Sequence, residues 1–135
     1  MAFVLDSSIA LAWVLPDEQF AEVDAIAERL ERESALVPVI WPLEICNALL
    51  MAQRRSRITT KQVSTALEAL AGLAIEVDVD ASMAAAGRGL ALAQSLNLTV
   101  YDAMYLELAA RRSCALASMD KRLRAACRAA RISLL

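Results

Sequence analysis

Short apolar runs alternate with longer segments of helical periodicity along this chain, and this alternation constrains the fold more than any other feature. The candidate strands are 3–5, 35–37, 74–77, 115–118 and, at the end of the chain, 132–134. The predicted helices are 9–15, 17–33, 41–55, 61–73, 80–95, 101–112 and 120–130. Strands and helices that alternate in this way predict a mostly parallel sheet covered on both faces. We therefore expect a three-layer α/β/α fold with a central sheet of four to five short strands.

The composition agrees with one compact unit. A length of 135 residues fits a single domain, 1–135, and 59% of the residues are apolar. So high an apolar content means either that both faces of the sheet are covered or that apolar surface is left for a partner. The cysteines Cys46, Cys114 and Cys127 are far apart and form no C-x-x-C pair. We therefore expect small buried side chains rather than a disulfide framework or a zinc site.

The apolar runs are too short for a membrane protein. None approaches the ~20 residues that span a bilayer. The first fifteen residues lack a basic start and contain Asp6, which makes a poor signal peptide. The expectation is a cytoplasmic protein without a membrane partner.

Two of the predicted helices carry packing predictions. In 41–55, Glu44 and Asn47 lie three residues apart and share a face, which also carries Leu43 and Leu50. We expect the two leucines to point inward. In 80–95, two glycines (Gly87 and Gly89) predict close approach to another element, with some loss of helix stability.

Four carboxylates stand in apolar or helical settings, although the chain has no histidine. Asp6 and Asp120 each follow a predicted strand, Glu44 lies in an apolar helix, and Asp102 lies in the first turn of another helix. A buried carboxylate is costly unless it is paired, protonated or bound to a metal. Ligand sites in open parallel sheets gather at the carboxyl ends of the strands. Asp6 and Asp120 are therefore expected at that edge.

Each carboxylate also has an ordinary structural explanation. Asp6 suits a turn after a strand, Asp102 a helix first turn, Asp120 a helix N-cap, and Glu44 an exposed helical position. These explanations weaken when the four are taken together, because the predicted fold brings them close. Clustered carboxylates cannot all ionise without a compensating cation. Oxygen ligands without histidine or paired cysteine favour Mg²⁺ or Mn²⁺ over zinc.

Charge is distributed unevenly along the chain. Residues 1–53 hold nine acids and two bases, whereas 54–135 hold seven acids and twelve bases. The bases concentrate in 54–57 and after Asp120. The basic residues of 54–135 would attract phosphate, and the acidic residues of 1–53 would attract a basic partner. The alternative is that both are simply solvated helical faces.

Four segments, in order, resemble the PIN-domain nucleases and in particular the VapC-type toxins of toxin–antitoxin pairs. Val4 to Ser8 resembles the family's opening strand with its Asp and Ser. The segment 42–49 resembles the E-x-x-N-x-L helix, and 98–109 resembles the D-A-x-Y-L-x-L-A segment. Finally, 118–123 resembles the T-x-D-x-x-L ending, with Ser118 in place of the commoner Thr.

The resemblance implies a PIN-like fold and a metal-dependent endoribonuclease. Its acidic site would comprise Asp6, Glu44, Asp102 and Asp120, with Asp6 and Asp102 as direct ligands of Mg²⁺ or Mn²⁺ and the other two completing the pocket. The residues implied to orient carboxylates or water are Ser7, Ser8, Asn47 and Ser118. The candidates for contact with the RNA backbone are Arg54, Arg55, Arg57, Lys121, Arg122 and Arg124. The resemblance also implies a homodimer and a cognate VapB-type antitoxin.

Other classes fit less well. The lack of histidine excludes a ribonuclease that uses histidine acid–base chemistry and a Ser-His-Asp hydrolase. A metal-dependent adhesion module would need D-x-S-x-S after the first strand, and position 10 is Ala. A haloacid-type phosphatase would need a second Asp at position 8, which is Ser, and a receiver domain would need an acidic pair. Two alternatives stay open: a PIN nuclease of RNA processing outside toxin–antitoxin systems, and a nuclease-fold binding partner or co-regulator without significant catalysis.

Overall fold

The computed structural model describes residues 1–17 and 21–135, and it confirms an α/β fold with a parallel sheet. The strands are β1 (Ala2–Leu5), β2 (Ser34–Pro38), β3 (Ile75–Asp78) and β4 (Leu116–Ala117). The helices are α1 (Ser7–Val14), α2 (Ala21–Arg29), α3 (Trp41–Arg54), α4 (Thr60–Ala71), α5 (Met83–Leu96), α6 (Val100–Arg112) and α7 (Lys121–Ala129).

The four strands form one all-parallel sheet in the order β3-β2-β1-β4. From β1 the chain moves outward to β2 and then β3, and it returns across the sheet to place β4 beside β1. The strand order therefore reverses between β1 and β4. A reversal of this kind leaves a crevice at the carboxyl ends of the two strands, where open α/β sheets bind their ligands.

Helices cover both faces of the sheet. Right-handed crossovers place α1 to α4 on one face and the α5–α6 pair on the other. In agreement, α1 contacts α2, α3 and α4, whereas α6 packs on β1, β2 and β4 with α5 against it. The strand residues Phe3 to Leu5 and Ala35 to Val37 are almost fully buried between these layers. They are short apolar runs without alternation, as expected for strands that are covered on both sides.

Several element predictions need correction at their boundaries. The fifth candidate strand, 132–134, contributes only one parallel bridge, between Leu134 and Leu116. Among the described residues, the helix predicted for 17–33 is present from Ala21 to Arg29, and its positions 18–20, including Phe20, lie outside the described residues.

The prediction for the cysteines is confirmed for one of the three. Cys127 is fully buried in α7, so that burial raises the pKa of its thiol to about 11. Cys46 is exposed and Cys114 is half-exposed, so the expectation of burial is wrong for them.

No helix within 1–17 and 21–135 has both the length and the apolar character to cross a bilayer.

The buried stripe of α3 differs from the one predicted. Leu43 is 65% exposed and Leu50 is 38% exposed, so the expectation that both point inward is wrong. The core is instead reached by Trp41, Ile45, Leu49 and Ala52, at spacings of four, four and three. Because α3 is apolar on several sides, its periodicity alone could not identify the buried side.

The α5–α6 pair packs closely at one glycine. A Cβ added to Gly89 would lie 2.4 Å from the sulfur of Met104 on α6, whereas one added to Gly87 would meet no atom within 4 Å. The predicted close approach is therefore confirmed at Gly89 and absent at Gly87.

An ionic cluster also joins the α5–α6 pair to the sheet. The buried Glu107 carboxylate of α6 accepts from Arg88 of α5 at 3.1 Å and from Arg111 at 2.9 Å. Arg111 also donates to Asp78, the last residue of β3. The cluster therefore fixes α6 relative to both α5 and the edge strand.

Candidate metal centre

Asp6 lies at the reversal point of the sheet, immediately after β1, and two serine hydroxyls bind its carboxylate. Ser8 Oγ and Ser118 Oγ each donate to Asp6 Oδ2 at 2.7 Å. The two hydroxyls in turn accept backbone N–H groups, Ser8 from Met119 at 3.0 Å and Ser118 from Asp120 at 2.9 Å. These bonds direct the single proton of each hydroxyl toward Asp6. The Asp6 carboxylate therefore accepts two hydrogen bonds from serine hydroxyls at a position where the residue is 94% buried.

The same bonds leave one oxygen of Asp6 available. Both hydroxyls bind Oδ2, and no residue in the described parts of the chain donates to Oδ1. Asp6 also stands at the N-cap position of α1 but makes no capping bond with its side chain. A turn or capping role therefore does not account for this carboxylate.

Asp120 combines a structural role with a place at the site. Its Oδ1 accepts from the backbone N–H of Leu123 at 3.0 Å, which caps α7 as the ordinary explanation requires. Ser118 links it to Asp6, because the Ser118 hydroxyl bonds both residues. Asp120 is itself exposed, so its second oxygen faces solvent near the end of β4.

Asp102 lies in the first turn of α6, which Thr99 caps. The backbone N–H of Asp102 donates to Thr99 Oγ1 at 3.1 Å, which makes Thr99 the N-cap of this helix. The capping bond is made by the backbone and leaves the Asp102 carboxylate half-exposed. The positive end of the helix dipole stabilises a negative charge at this position.

Glu44 lies in the first turn of α3, and its carboxylate is held by a residue from the opposite face of the sheet. The hydroxyl of the fully buried Tyr105 on α6 donates a hydrogen bond to Glu44 Oε1. The Ser7 hydroxyl lies beside the same phenol. Glu44 shares an open groove of about 410 Å³ with Asn47, Thr99 and Asp102.

Burial and mutual repulsion raise the pKa of three of these carboxyl groups. For Asp6 the main cause is desolvation, with further repulsion from Asp120 and Asp102, and the serine hydroxyls offset only part of the rise in pKa. Desolvation and the charges of Asp6 and Asp102 raise the pKa of Glu44 despite the Tyr105 bond. Desolvation and Asp120 raise the pKa of Asp102. The four charges thus act on one another, as expected for groups that a cation would bring together.

The donor set fits a hard cation, although the side chains are not gathered tightly around one point. Within the described ranges, no group of three or more carboxylate or thiol side chains is close enough to hold a metal ion together. The donors at the reversal point are all carboxylate and hydroxyl oxygens, the ligands that Mg²⁺ and Mn²⁺ prefer. Mg²⁺ commonly keeps several waters and takes only one or two protein carboxylates. The arrangement is compatible with that mode of binding.

The remaining predicted residues divide between the site and the rest of the surface. Asn47 is exposed in the groove beside Glu44 but has no side-chain hydrogen bond among the described residues. Arg122, in the first turn of α7, is close enough to Asp102 for its charge to offset part of the rise in the pKa of that carboxyl group, and the exposed Lys121 precedes it. Both bases therefore border the acidic site.

The other basic candidates are farther away or engaged. Arg54 and Arg55 end α3, about 15 Å along the helix axis from Glu44 at 1.5 Å per residue. Arg57 forms an ion pair with Asp17 at 2.7 Å. Arg124 donates to the carbonyl of Ser118 at 3.0 Å, so it supports the loop after β4.

The sequence interpretation missed one residue of this site. Tyr105 lies in the apolar stretch Ala103 to Leu106 and reads as an ordinary core residue. Two signals were available: Tyr105 is the Y of the D-A-x-Y-L-x-L-A segment, and its spacing of three from Asp102 places both on one side of α6. Neither signal could reveal the partner, since Glu44 lies 61 positions earlier in the chain.

The α/β/α fold with an all-parallel sheet is the fold class of this protein, and a family model identifies the family within it. The model of the PIN domain matches residues 3–129. The chain therefore belongs to the PIN-domain family, whose members are nucleases. No curated protein matches this chain.

Solved structures show the same fold at low sequence identity. VapBC2 from Rickettsia felis, bound to a DNA fragment from its promoter, aligns with 100% of this chain and 98% of its own at 13% identity, with a TM-score of 0.70. FitAcB from Neisseria gonorrhoeae aligns over 100% and 96% of the two chains at 17% identity and a TM-score of 0.67. PAE2754 from Pyrobaculum aerophilum aligns over 93% and 84% at 20% identity and a TM-score of 0.67.

Proposed function

We propose that this protein is a metal-dependent endoribonuclease and the toxic component of a VapBC-type toxin–antitoxin pair. The observation that carries the proposal is the setting of Asp6, a buried carboxylate held as an acceptor by two serines, with one oxygen left for another ligand. Membership of the PIN family supports the nuclease activity. The likeness to VapBC2 and FitAcB supports the toxin–antitoxin context.

Asp6 and Asp102 would hold Mg²⁺ or Mn²⁺, with Glu44 and Asp120 completing the pocket. When bound, the ion would activate water and neutralise charge on the scissile phosphate and the leaving oxygen. Ser8 and Ser118 keep the Asp6 carboxylate oriented. The backbone N–H groups that both serine oxygens accept favour the orientation in which each hydroxyl proton points to Asp6.

The bases near the site would bind the RNA backbone. Arg122 and Lys121 stand at the start of α7, beside the acids, where they would contact phosphates of the RNA backbone. Loops and single strands are the RNA forms in which a backbone can enter such an open groove. A protein with RNA as its substrate would act in the cytoplasm.

Cleavage assays test the function directly. The purified protein should cut single-stranded or loop RNA when Mg²⁺ or Mn²⁺ is present and should lose this activity in excess chelator. The double variant Asp6→Asn, Asp102→Asn should be inactive while it remains folded. Full activity in chelator would disprove the metal mechanism, and unchanged activity of the double variant would disprove the site. Mapping of RNA ends in cells after induction would then identify the target.

The partners belong to the same proposal. An apolar cavity of about 210 Å³ opens between the end of β2 and α6, beside the exposed side chains of Val39 and Val100. Apolar surface of this kind suits a cognate VapB-type antitoxin or the second copy of a homodimer. Co-purification with the product of an adjacent short gene, and light scattering for the mass in solution, would test each partner.

Two other functions have distinct outcomes. A PIN nuclease of RNA processing would cleave RNA with metal but would have no antitoxin and would not arrest growth when expressed. A folded protein that binds no metal and cleaves no RNA would instead act as a binding partner or co-regulator.

A further inference from the structure

Tyr105 connects the two faces of the molecule at the acidic site. It lies one turn after Asp102 on α6, which covers one face of the sheet, and its hydroxyl reaches Glu44 on α3, which covers the other. The aromatic ring is fully buried in the core. The position of the hydroxyl is therefore set by packing and not by the groove.

Glu44 depends on this one contact. It is half-exposed on the groove wall, and within 1–17 and 21–135 its carboxylate has no hydrogen bond or ion pair except the one from Tyr105. A glutamate without such a bond would sample several rotamers on an open surface. With it, Oε1 is engaged by the phenol and Oε2 is presented to the groove that Asp102 also lines.

We propose that Tyr105 is a positioning residue that aims the Glu44 carboxylate at the cation of the acidic site. The inference rests on the proposed function, because Glu44 needs a cation to be aimed at. Asp6 receives the corresponding support from two serines, so Tyr105 completes a pattern in which a hydroxyl from a remote segment fixes each of the two carboxylates. Hydrogen bonds to ligating carboxylates commonly change metal affinity by about 10–100-fold when they are removed.

The test is a double-variant comparison of Mn²⁺ affinity, measured by electron paramagnetic resonance without RNA. Tyr105→Phe keeps the buried ring and removes only the hydroxyl, and it should weaken Mn²⁺ binding by about tenfold or more. Glu44→Gln should weaken binding as well. If Tyr105 acts through Glu44, adding Tyr105→Phe to Glu44→Gln should change the affinity by less than about twofold. The chain's other tyrosine, Tyr101, lines the same groove, but its hydroxyl has no hydrogen bond among the described residues. Tyr101→Phe should therefore leave the affinity within about twofold of the wild type.

The outcomes separate this inference from the function. Wild-type affinity in Tyr105→Phe, or losses that multiply in the double variant, would overturn the positioning role while the metal site stands. A wild type that binds no Mn²⁺ would overturn both. Should Tyr105→Phe fail to give a cooperative melt, the hydroxyl proton can be followed by NMR in the wild type. A slowly exchanging phenolic proton that is lost in Glu44→Ala, which removes the acceptor, is expected. Its absence from the folded wild type would overturn the inference.

Discussion

Asp6 is the residue on which the acidic site depends most. Asp6→Asn keeps the size of the side chain but removes the charge that would bind a cation. Loss of a residue that only hydrogen-bonds to a metal ligand commonly lowers activity by about 10–100-fold. Asp6 is proposed as a ligand itself, so we expect the rate of RNA cleavage to fall by at least about a hundredfold. The measurement is the initial rate of cleavage at fixed Mg²⁺, with circular dichroism to verify folding.

A matched control separates charge at the site from charge in general. Asp24→Asn makes the same change on the exposed side of α2, at a carboxylate without a described partner, and should leave the rate within about twofold. Equal losses in the two variants would show that Asp6 has no special part in the reaction.

The raised pKa values of Asp6, Glu44 and Asp102 predict a pH dependence of stability. Between the usual carboxyl pKa near 4 and the raised pKa values, the folded protein binds more protons than the unfolded chain. The free energy of unfolding of the metal-free protein should therefore decrease as pH rises through this window. Urea denaturation between pH 5 and pH 7 measures it.

The same protons compete with the cation. Mn²⁺ affinity should weaken as pH falls from 7 to 5, because the ion must displace protons from these carboxyl groups.

The variant Asp6→Asn tests the pH dependence of stability, because its free energy of unfolding should change less with pH than that of the wild type. A stability of the metal-free wild type that increases with pH over this range would contradict the prediction.

At the scale of the element, the contact between α5 and α6 sets the position of Asp102, and two glycines test it. Gly89→Ala should be destabilising, since its Cβ would lie against the Met104 sulfur and would force that side chain to move. Gly87→Ala adds a methyl group to open space on the same helix and should stabilise by about 0.5–1 kcal/mol. Thermal melts of the two variants should shift in opposite directions.

The cluster around Glu107 gives α6 a second attachment. Glu107 is buried, so Glu107→Gln would leave Arg88 and Arg111 without their shared negative partner. Because both guanidinium groups are partly exposed, water compensates them in part, and we expect a loss of about 1–3 kcal/mol. Glu68→Gln, on the exposed side of α4, should change stability by less than about 0.5 kcal/mol. Chemical denaturation of the two variants measures the free energy of unfolding. Equal values for Glu107→Gln and Glu68→Gln would show that the cluster does not stabilise the fold.

At the scale of the whole molecule, the basic residues fall into near and distant groups. Arg122→Ala should weaken RNA binding and lower the salt dependence of binding, since this residue borders the acids. Arg54→Ala, at the far end of α3, should have a smaller effect on both quantities. Fluorescence anisotropy of a labelled RNA hairpin at several salt concentrations, with Asp6→Asn as the background to prevent cleavage, measures the difference. A larger effect of Arg54→Ala would mean that RNA approaches from the opposite side.

The fold was predictable because its signals are local. Apolar runs of strand length and their alternation with helices indicated the parallel sheet, and strand ends placed Asp6 and Asp120 at one edge. The inward side of α3 was not predictable, because Leu43 and Leu50 are as apolar as the residues that are buried. Contacts between distant segments, such as Tyr105 with Glu44, require the tertiary structure.

The Ser118–Asp6 hydrogen bond joins residues 112 positions apart in sequence. During synthesis, Asp6 leaves the ribosome long before Ser118 and Asp120. The nascent chain therefore cannot assemble its acidic pocket until β4 has emerged and paired with β1. Every shorter fragment that ends before Ser118 lacks one of the two hydroxyls that hold the Asp6 carboxylate.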